Sequence, residues 1–171
     1  MTEAAAADSR LARVVLTGEA LTRLSPILEA DRAQAVADLT VDNRFRPLTL
    51  KPGQETCRAF TLHLSIQEGR LVFDIRCYEG ESNDGTPVSA ILLALGPFRG
   101  LIKDYQLLVD SHITAVEEGR EARIQAIDMG RRGLHNEGAN LMIERLAGKI
   151  EIDFETSRRL FTLVCVLHQR I

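Results

Sequence analysis

Two runs of alternating apolar and polar residues, joined by the dipeptide Glu68-Gly69, constrain the fold of this chain more than any other feature. A two-residue loop at this dipeptide is typical of a β-hairpin, and it determines which side chains share a face. Every strongly apolar residue of both runs then lies on one face, as a half-buried antiparallel sheet requires. The predicted cross-strand pairs are Ile66 with Leu71, Leu64 with Phe73, Leu62 with Ile75, and Phe60 with Cys77.

The opposite face of this hairpin is polar, and the same register sets His63 across from Asp74 and Thr61 across from Arg76. A histidine beside an aspartate can belong to a catalytic dyad, but the sequence places no nucleophile next to this pair. We therefore interpret it as a solvated cross-strand pair that contributes a few tenths of a kcal/mol.

Two further segments are predicted to be strands of the same sheet. Residues 11–17 form a short β-like run, and residues 86–95 are so apolar that we expect a central strand covered on both faces. Together with the hairpin, these segments predict an antiparallel sheet of about four strands.

The rest of the chain has helical periodicity. An apolar stripe begins after Pro97, a second helix begins near Glu121, and Asp153 can cap a last helix. Because residues 160–167 are apolar all round, this C-terminal helix should be central to the core. The sequence therefore predicts an α+β fold with three to four helices packed on one face of the sheet.

The length of 171 residues fits one domain, which we predict to span residues 11–171 behind a flexible tail of residues 1–10. The net charge of −3 disfavours sequence-independent nucleic-acid binding, which needs a basic surface. No apolar run reaches the ~20 residues of a membrane span. Residues 1–8 lack the basic and apolar regions of a secretory signal, so we expect a cytoplasmic protein with no membrane association.

The cysteines and histidines do not form a recognisable site. Cys57, Cys77 and Cys165 are an odd number without CxxC spacing, and we expect all three to be reduced, buried thiols. The four histidines are dispersed, and the signatures HExxH, GxxxxGK[ST], GxSxG and GxGxxG are absent. The sequence thus predicts neither a metal site nor a cofactor.

The densest group of chemically capable side chains lies in residues 127–138 (IDMGRRGLHNEG), the glycine-arginine segment. If a helix continues through it, Asp128, Arg131, Arg132 and His135 share one face, and the two guanidiniums can hold a phosphate or carboxylate. If the helix breaks at the glycines, Asn136 or a neighbour caps a new helix, whose free N–H groups again favour an anion. The sequence leaves both geometries open.

A purely structural role explains the same residues. Asp128 can form an ordinary ion pair within the helix with Arg131 or Arg132, and the glycines can serve close packing. A third interpretation is an acid–base site at His135 and Glu137, although residues two apart do not face each other on a helix. Four more cations could join the two arginines in a patch of six, and these are Arg145, Lys149, Arg158 and Arg159.

Three stretches resemble an uncharacterised protein family of small, single-domain alphaproteobacterial proteins. They are residues 96–105 (with GPFR and KDY), residues 127–138, and residues 144–168 (ERLAGKIEIDFETSRRLFTLVCVLH). The resemblance covers the chain from about residue 11 to its end. It implies a bacterial cytosolic protein, and it supplies no activity, cofactor or catalytic residue.

We therefore predict a non-enzymatic binding or regulatory module that docks a protein partner or a small anionic ligand. The contact residues would be Asp128, Arg131, Arg132, His135 and Asn136. The alternative is a small enzyme for a phosphorylated or carboxylated substrate, in which the arginines hold the anion and His135 or Glu137 moves a proton. A nucleic-acid-associated protein is a third class, and a homo-oligomer through an exposed helix face stays open.

Overall fold

The computed structural model describes residues 9–18, 21 and 24–168, and within them the chain forms strands and helices in a mixed order. A short 3₁₀ turn at Gly96–Phe98 precedes the second helix. The other elements are β1 (Arg10–Thr17), α1 (Pro26–Val41), β2 (Phe45–Pro47), β3 (Ala59–Gln67), β4 (Arg70–Cys77), β5 (Thr86–Ala94), α2 (Arg99–Glu117), α3 (Glu121–Leu146), β6 (Ile150–Ile152) and α4 (Phe154–Leu167).

β3 and β4 form the predicted hairpin, and the predicted register is confirmed at every apolar pair. Glu68 and Gly69 both have positive φ, at 52° and 74°, as a two-residue type I′ turn requires. The inward side chains of both strands are fully buried except at the strand ends. They are Phe60, Leu62, Leu64, Leu71, Phe73 and Ile75.

The sheet has the order β1-β3-β4-β5 and is mixed, because β1 runs parallel to β3. The antiparallel prediction holds for the β3–β4 and β4–β5 pairs. The parallel pair follows from the connection, since the chain crosses over through α1 before it returns to the sheet. Asn43 closes part of the outer edge of β1. Its Oδ1 accepts from the Leu11 N–H (2.6 Å) and its Nδ2 donates to the Leu11 carbonyl (2.8 Å), bonds that a further strand would otherwise make.

β5 is an edge strand, so the expectation of a central strand covered on both faces is wrong. Ile91 and Leu93 are buried, whereas Leu92 between them is 51% exposed. Small exposed residues, Ala90 and Ala94, occupy the other outward positions. An unbroken apolar run therefore does not distinguish a buried strand from one whose open face carries alanine and one leucine.

The helices form one core with the inner face of the sheet, and α4 is central, as predicted. α4 contacts the other three helices and β1, and its residues 160–166 are buried throughout. α3 and α4 approach most closely at Gly138, where a Cβ would overlap the ring of Phe161. Within the described part of the chain, no helix is both long and apolar enough to cross a membrane.

The predicted tail falls mostly on residues 1–8, which lie outside the described residues. Residues 9 and 10 belong to the folded part, because the buried Ser9 hydroxyl donates to the Phe45 carbonyl at 2.6 Å and β1 begins at Arg10. The division into a tail and one domain of residues 11–171 stays a prediction.

Two of the three cysteines are joined, which corrects the expectation of three reduced thiols. Cys57 and Cys77 form a disulfide with their Cα atoms 6.1 Å apart, whereas Cys165 is fully buried in α4. The bond ties the segment before β3 to the end of β4. The sequence did not reveal this pair, because Cys77 occupies an apolar position of the alternating β4 pattern and therefore resembles a core residue. Cys57 lies in a loop, and the path of a loop cannot be predicted from periodicity.

Candidate functional site

α3 runs without a break from Glu121 to Leu146, so the glycine-arginine segment is helical. This result selects the first of the two geometries that the sequence left open. Asp128, Arg131, Arg132 and His135 therefore follow one another along one side of the helix. Gly133 meets no atom within 4 Å of a hypothetical Cβ, so packing inside the chain does not require a glycine there.

Arg131 lies between two carboxylates from different helices. Its Nη2 is 3.4 Å from Oδ1 of Asp128, one turn earlier in α3, and 3.6 Å from Oδ1 of Asp31 in α1. The Tyr105 hydroxyl of α2 donates to the other oxygen of Asp31 at 2.5 Å, and burial together with that carboxylate raises the pKa of Tyr105. Nε2 of His112 lies 3.8 Å from Asp128. The Nη2 end of the Arg131 guanidinium is thus held in place by two carboxylates. Its Nη1 is buried and has no hydrogen-bond partner among the described residues.

α1, α3 and α4 enclose a small open pocket of about 150 Å³, which we call the arginine pocket. Gln34, Ala35 and Thr162 complete a lining that is otherwise made of charged side chains and one imidazole. Those lining residues are Asp31, Asp38, Arg131, Arg132, His135, Arg158 and Arg159.

His135 is buried at the pocket and is 7% exposed. Its ring lies 5.3 Å from the ring of Tyr105 and 6.5 Å from that of Phe161, and its Nε2 is buried without a hydrogen-bond partner among the described residues. Burial, together with the smaller effect of the nearby Arg158 and Arg131, lowers the pKa of His135 to about 3. The imidazole is therefore neutral near pH 7, where it can donate or accept a hydrogen bond but carries no charge.

The two arginines of α4 are positioned by residues around the pocket. Nε of Arg158 donates to Oδ1 of Asn136 at 3.1 Å, and Nη1 of Arg159 donates to the Asp42 carbonyl at 3.1 Å. Arg159 also lies 3.8 Å from Asp38 of α1. Each arginine keeps further N–H groups beyond these bonds, because a guanidinium has five donors.

Among the described lining residues, four arginines stand against two aspartates, and the neutral His135 adds no charge. The two aspartates are already engaged: Asp31 by Tyr105 and Arg131, and Asp38 by Gln34 (2.8 Å) and Arg159. Arg131 is paired with Asp31 and Asp128, and Arg159 is paired with Asp38 and Glu155. Within the described part of the chain, Arg132 and Arg158 form no ion pair, so the pocket offers two such guanidiniums together with buried nitrogens that have no hydrogen-bond partner there. This combination favours an anion.

The residues proposed from the sequence separate into three groups. Arg131, Arg132 and His135 line the pocket, and Asp128 and Asn136 stand behind it, where they hold Arg131 and Arg158. Exposed on α3, Glu137 is not part of the lining. Of the four additional cations proposed for a patch, Arg158 and Arg159 join the pocket, whereas Arg145 and Lys149 do not.

Sequence reasoning missed the contribution of α1. Asp31, Gln34 and Asp38 stand at i, i+3 and i+7 and so share one face of that helix. This spacing was a usable signal for a polar face. It did not say that the face would meet the arginines of α3 and α4.

Comparison with known proteins places the chain among close relatives. Residues 8–170 match the Uncharacterised protein family (UPF0262), which confirms the resemblance seen in the sequence. A UPF0262 protein of Granulibacter bethesdensis is 66% identical over 97% of this chain and 93% of its own length. Relatives from Acidiphilium cryptum (98% of this chain, 97% of theirs) and Rhodopseudomonas palustris (98% of each) are 58% and 49% identical. No solved structure matches the chain.

Proposed function

The chain belongs to the Uncharacterised protein family (UPF0262), and we propose that it is a non-enzymatic binding module that holds a small anion in the arginine pocket. The observation that carries this proposal is that two lining side chains, Arg131 and His135, each have a buried nitrogen (Nη1 and Nε2) without a hydrogen-bond partner among the described residues, and that three further arginines line the same pocket. A buried polar atom without a partner costs about 1–3 kcal/mol. An anion that accepts from Nη1 of Arg131, and from Nε2 of His135 in the tautomer that carries its proton there, would recover that free energy.

The ion pairs of Arg131 do not account for the pocket by themselves. Asp31 and Asp128 approach Nη2 of Arg131, whereas the donor left over is Nη1. A purely structural role would also not require Arg132 and Arg158 at the same place, since neither forms an ion pair with a pocket aspartate in this structure. The two guanidiniums that form no ion pair among the described residues are therefore better explained by a ligand than by internal packing.

Binding is supported over acid–base catalysis by the environment of His135. A general acid or base works best when its pKa lies near the working pH, and burial lowers the pKa of His135 to about 3. Glu137, the other predicted proton carrier, lies outside the lining of the pocket. The ring is better suited to hydrogen-bond a ligand than to exchange protons with it.

A thermal-shift series at constant ionic strength tests the proposal, using methyl phosphate, sulfate, fumarate and acetate. Arg132→Gln and Arg158→Gln remove pocket charges, and Arg145→Gln is the matched control, an exposed arginine of α3 outside the lining. An anion at 100 times its Kd should stabilise the fold by about 2.7 kcal/mol, a rise in Tm of several degrees. The wild type and the control should respond and the two pocket variants should not. A wild type that responds to none of the anions would refute the proposal.

Docking of a protein on the exposed side of α3 is the second candidate. Met129 is 72% exposed, and Gly133 leaves the helix surface open although a glycine there costs about 1 kcal/mol relative to alanine. A second copy of the chain is one such partner, and light scattering of the wild type and of Met129→Gln tests it. A dimer that dissociates in the variant would support this candidate, and a monomer at all concentrations would exclude self-association.

We further propose that the protein works in the cytoplasm. Thiols are kept reduced in that compartment, so Cys57 and Cys77 would be a dithiol there and would join on oxidation. Alkylation of the thiols at the moment of cell lysis, followed by mass measurement, distinguishes the two states. A disulfide in all of the freshly trapped protein would contradict a cytoplasmic location.

A further inference from the structure

We infer that the anion held by the arginine pocket is a phosphoryl group carrying two negative charges, such as that of a phosphomonoester. This inference rests on the proposed function and adds the chemical class of the ligand. Three features of the pocket carry it, namely its charge, the number of its donors, and its size.

The charge of the lining matches a dianion. Two of the four arginines are each paired with two carboxylates, Arg131 with Asp31 and Asp128 and Arg159 with Asp38 and Glu155. The guanidiniums of Arg132 and Arg158 form no ion pair among the described residues, which leaves two positive charges for a ligand. A monocarboxylate would leave one of these positive charges uncompensated in a partly buried site. A phosphomonoester carries about −1.5 to −2 near pH 7 and neutralises both.

The donors are numerous and come from more than one direction. Arg131 and Arg132 come from α3, Arg158 and Arg159 come from α4, and the His135 ring of α3 can add an N–H. A phosphoryl group offers three strongly accepting oxygens to such a set, whereas a single carboxylate offers two in one plane. Arginine forks are also suited to bidentate contact with phosphate oxygens.

The size of the pocket limits the ligand to a head group. Its volume of about 150 Å³ is below the ~300–1,000 Å³ typical of sites that enclose a whole drug-sized ligand. The phosphoryl group would therefore be enclosed while the rest of the molecule lies outside. A small phosphate ester and a phosphorylated side chain of another protein share this chemistry.

The pH dependence of binding tests the phosphoryl assignment directly. The second ionisation of a phosphomonoester has a pKa near 6, so its dianion gains about four-fold in abundance between pH 5.5 and 7.5. Sulfate and fumarate are dianions at both pH values and serve as controls. The titratable and charged groups at the site are Asp31 and Asp38 of α1, the arginines of α3 and α4, His135, and the carboxylates of Asp128 and Glu155 that are paired with Arg131 and Arg159.

The experiment is isothermal titration of the intact protein with methyl phosphate, sulfate, fumarate and acetate at pH 5.5 and 7.5. We expect methyl phosphate to bind about four times more tightly at pH 7.5, sulfate to bind equally at both, and acetate to bind at least about ten-fold more weakly. Arg132→Gln should weaken methyl phosphate binding, and Arg145→Gln should leave it unchanged.

A phosphoserine peptide that binds more tightly than methyl phosphate would identify a protein as the source, and equal binding would indicate a small ester.

Failure of this inference differs from failure of the proposed function. If fumarate binds as tightly as methyl phosphate, or if methyl phosphate binding is the same at both pH values, the phosphoryl assignment is overturned while anion binding stands. If none of the four anions binds, both are overturned.

Discussion

Arginine, aspartate and histidine side chains crowd together in two regions of this molecule, and the two differ in how their charges are balanced. On the outer face of the sheet, Arg13 approaches Glu81 and Asp84 at 3.9 Å each. Arg76 pairs with Asp74 at 3.2 Å on the same face. We call these residues, together with His63, the sheet cluster. Here the acids outnumber the arginines, and the pairs hold residues 79–85 against the sheet.

The arginine pocket has the opposite balance. Two of its arginines, Arg132 and Arg158, form no ion pair among the described residues. Its histidine lies near the cations Arg158 and Arg131, whereas His63 has Asp84 3.9 Å away. A cluster whose charges are internally paired is explained by stability alone. Nε2 of His63 in the sheet cluster is also buried without a hydrogen-bond partner among the described residues. The feature that distinguishes the arginine pocket is therefore its pair of guanidiniums without an ion pair, rather than its number of charged residues.

The largest expected difference between the two regions is in the pH dependence of stability conferred by His135. Its pKa is about 3 in the folded protein against 6.5 for the free side chain, so only the unfolded chain gains a proton between these values. The stability is therefore complete above pH 6.5 and is lost as the pH falls towards 3, by on the order of 4 kcal/mol. Urea unfolding at pH 7 and pH 4 measures it, and His135→Gln should lose less than the wild type. An equal loss in both proteins would contradict the buried neutral ring.

Removal of one arginine from each region should separate them next. Arg131→Met leaves Asp31 and Asp128 without their cation in a largely buried place, and we expect a loss of about 3 kcal/mol in the free energy of unfolding. Arg76→Met breaks a more exposed pair and should cost less than about 1 kcal/mol. Chemical denaturation of both variants checks the contrast, which would be refuted by equal losses.

The disulfide should stabilise the sheet without affecting the pocket. Cys57 and Cys77 are 20 residues apart, and closing a loop of that length stabilises the fold by about 3 kcal/mol on the chain-entropy estimate. The double variant Cys57→Ser/Cys77→Ser should lose this amount relative to the oxidised wild type. Its affinity for methyl phosphate should be unchanged, since neither cysteine is part of the pocket. Reduced wild type is the matched control and should be equally destabilised.

The smallest expected effect is a gain. Gly133→Ala places a methyl group in open space on a helix surface and should stabilise the fold by about 1 kcal/mol, because glycine is a poor helix former. Gly138→Ala has the opposite sign, since the same methyl group would meet the ring of Phe161. Thermal unfolding of the pair distinguishes a glycine required for internal packing from one that is not. A destabilised Gly133→Ala monomer would contradict this assignment.

The sheet was more predictable than the site for a physical reason. Alternation of apolar and polar residues predicts directly which side chains face the core. The turn at Glu68-Gly69 then determines which residues of β3 and β4 pair with each other. The same rule failed at β5, where the open face carries alanines and Leu92 instead of polar residues. The parallel direction of β1 was missed because it depends on the crossover through α1 rather than on any local pattern.

The site could be predicted only in part, because helical spacing reports the face of a helix and not the neighbour that it meets. Arg131, Arg132 and His135 line one pocket, and their role in binding stays a prediction. The sequence did not predict that Asp31 and Tyr105 would lie beside the site. They precede Arg131 by 100 and 26 residues and are brought to it by helix packing. The disulfide was not predicted because residues 48–58 follow no regular period, so the position of Cys57 relative to the sheet could not be inferred.

The most direct test of a binding site at the arginine pocket is the ¹⁵N NMR signal of the His135 imidazole during titration with methyl phosphate at pH 7.5. We predict that the Nε2 resonance starts as that of a neutral ring and shifts saturably in the wild type and in Arg145→Gln. In Arg158→Gln the shift should need a much higher concentration. If the His135 resonance does not move while methyl phosphate saturates the protein elsewhere, or if no resonance moves at all, the arginine pocket is not the binding site.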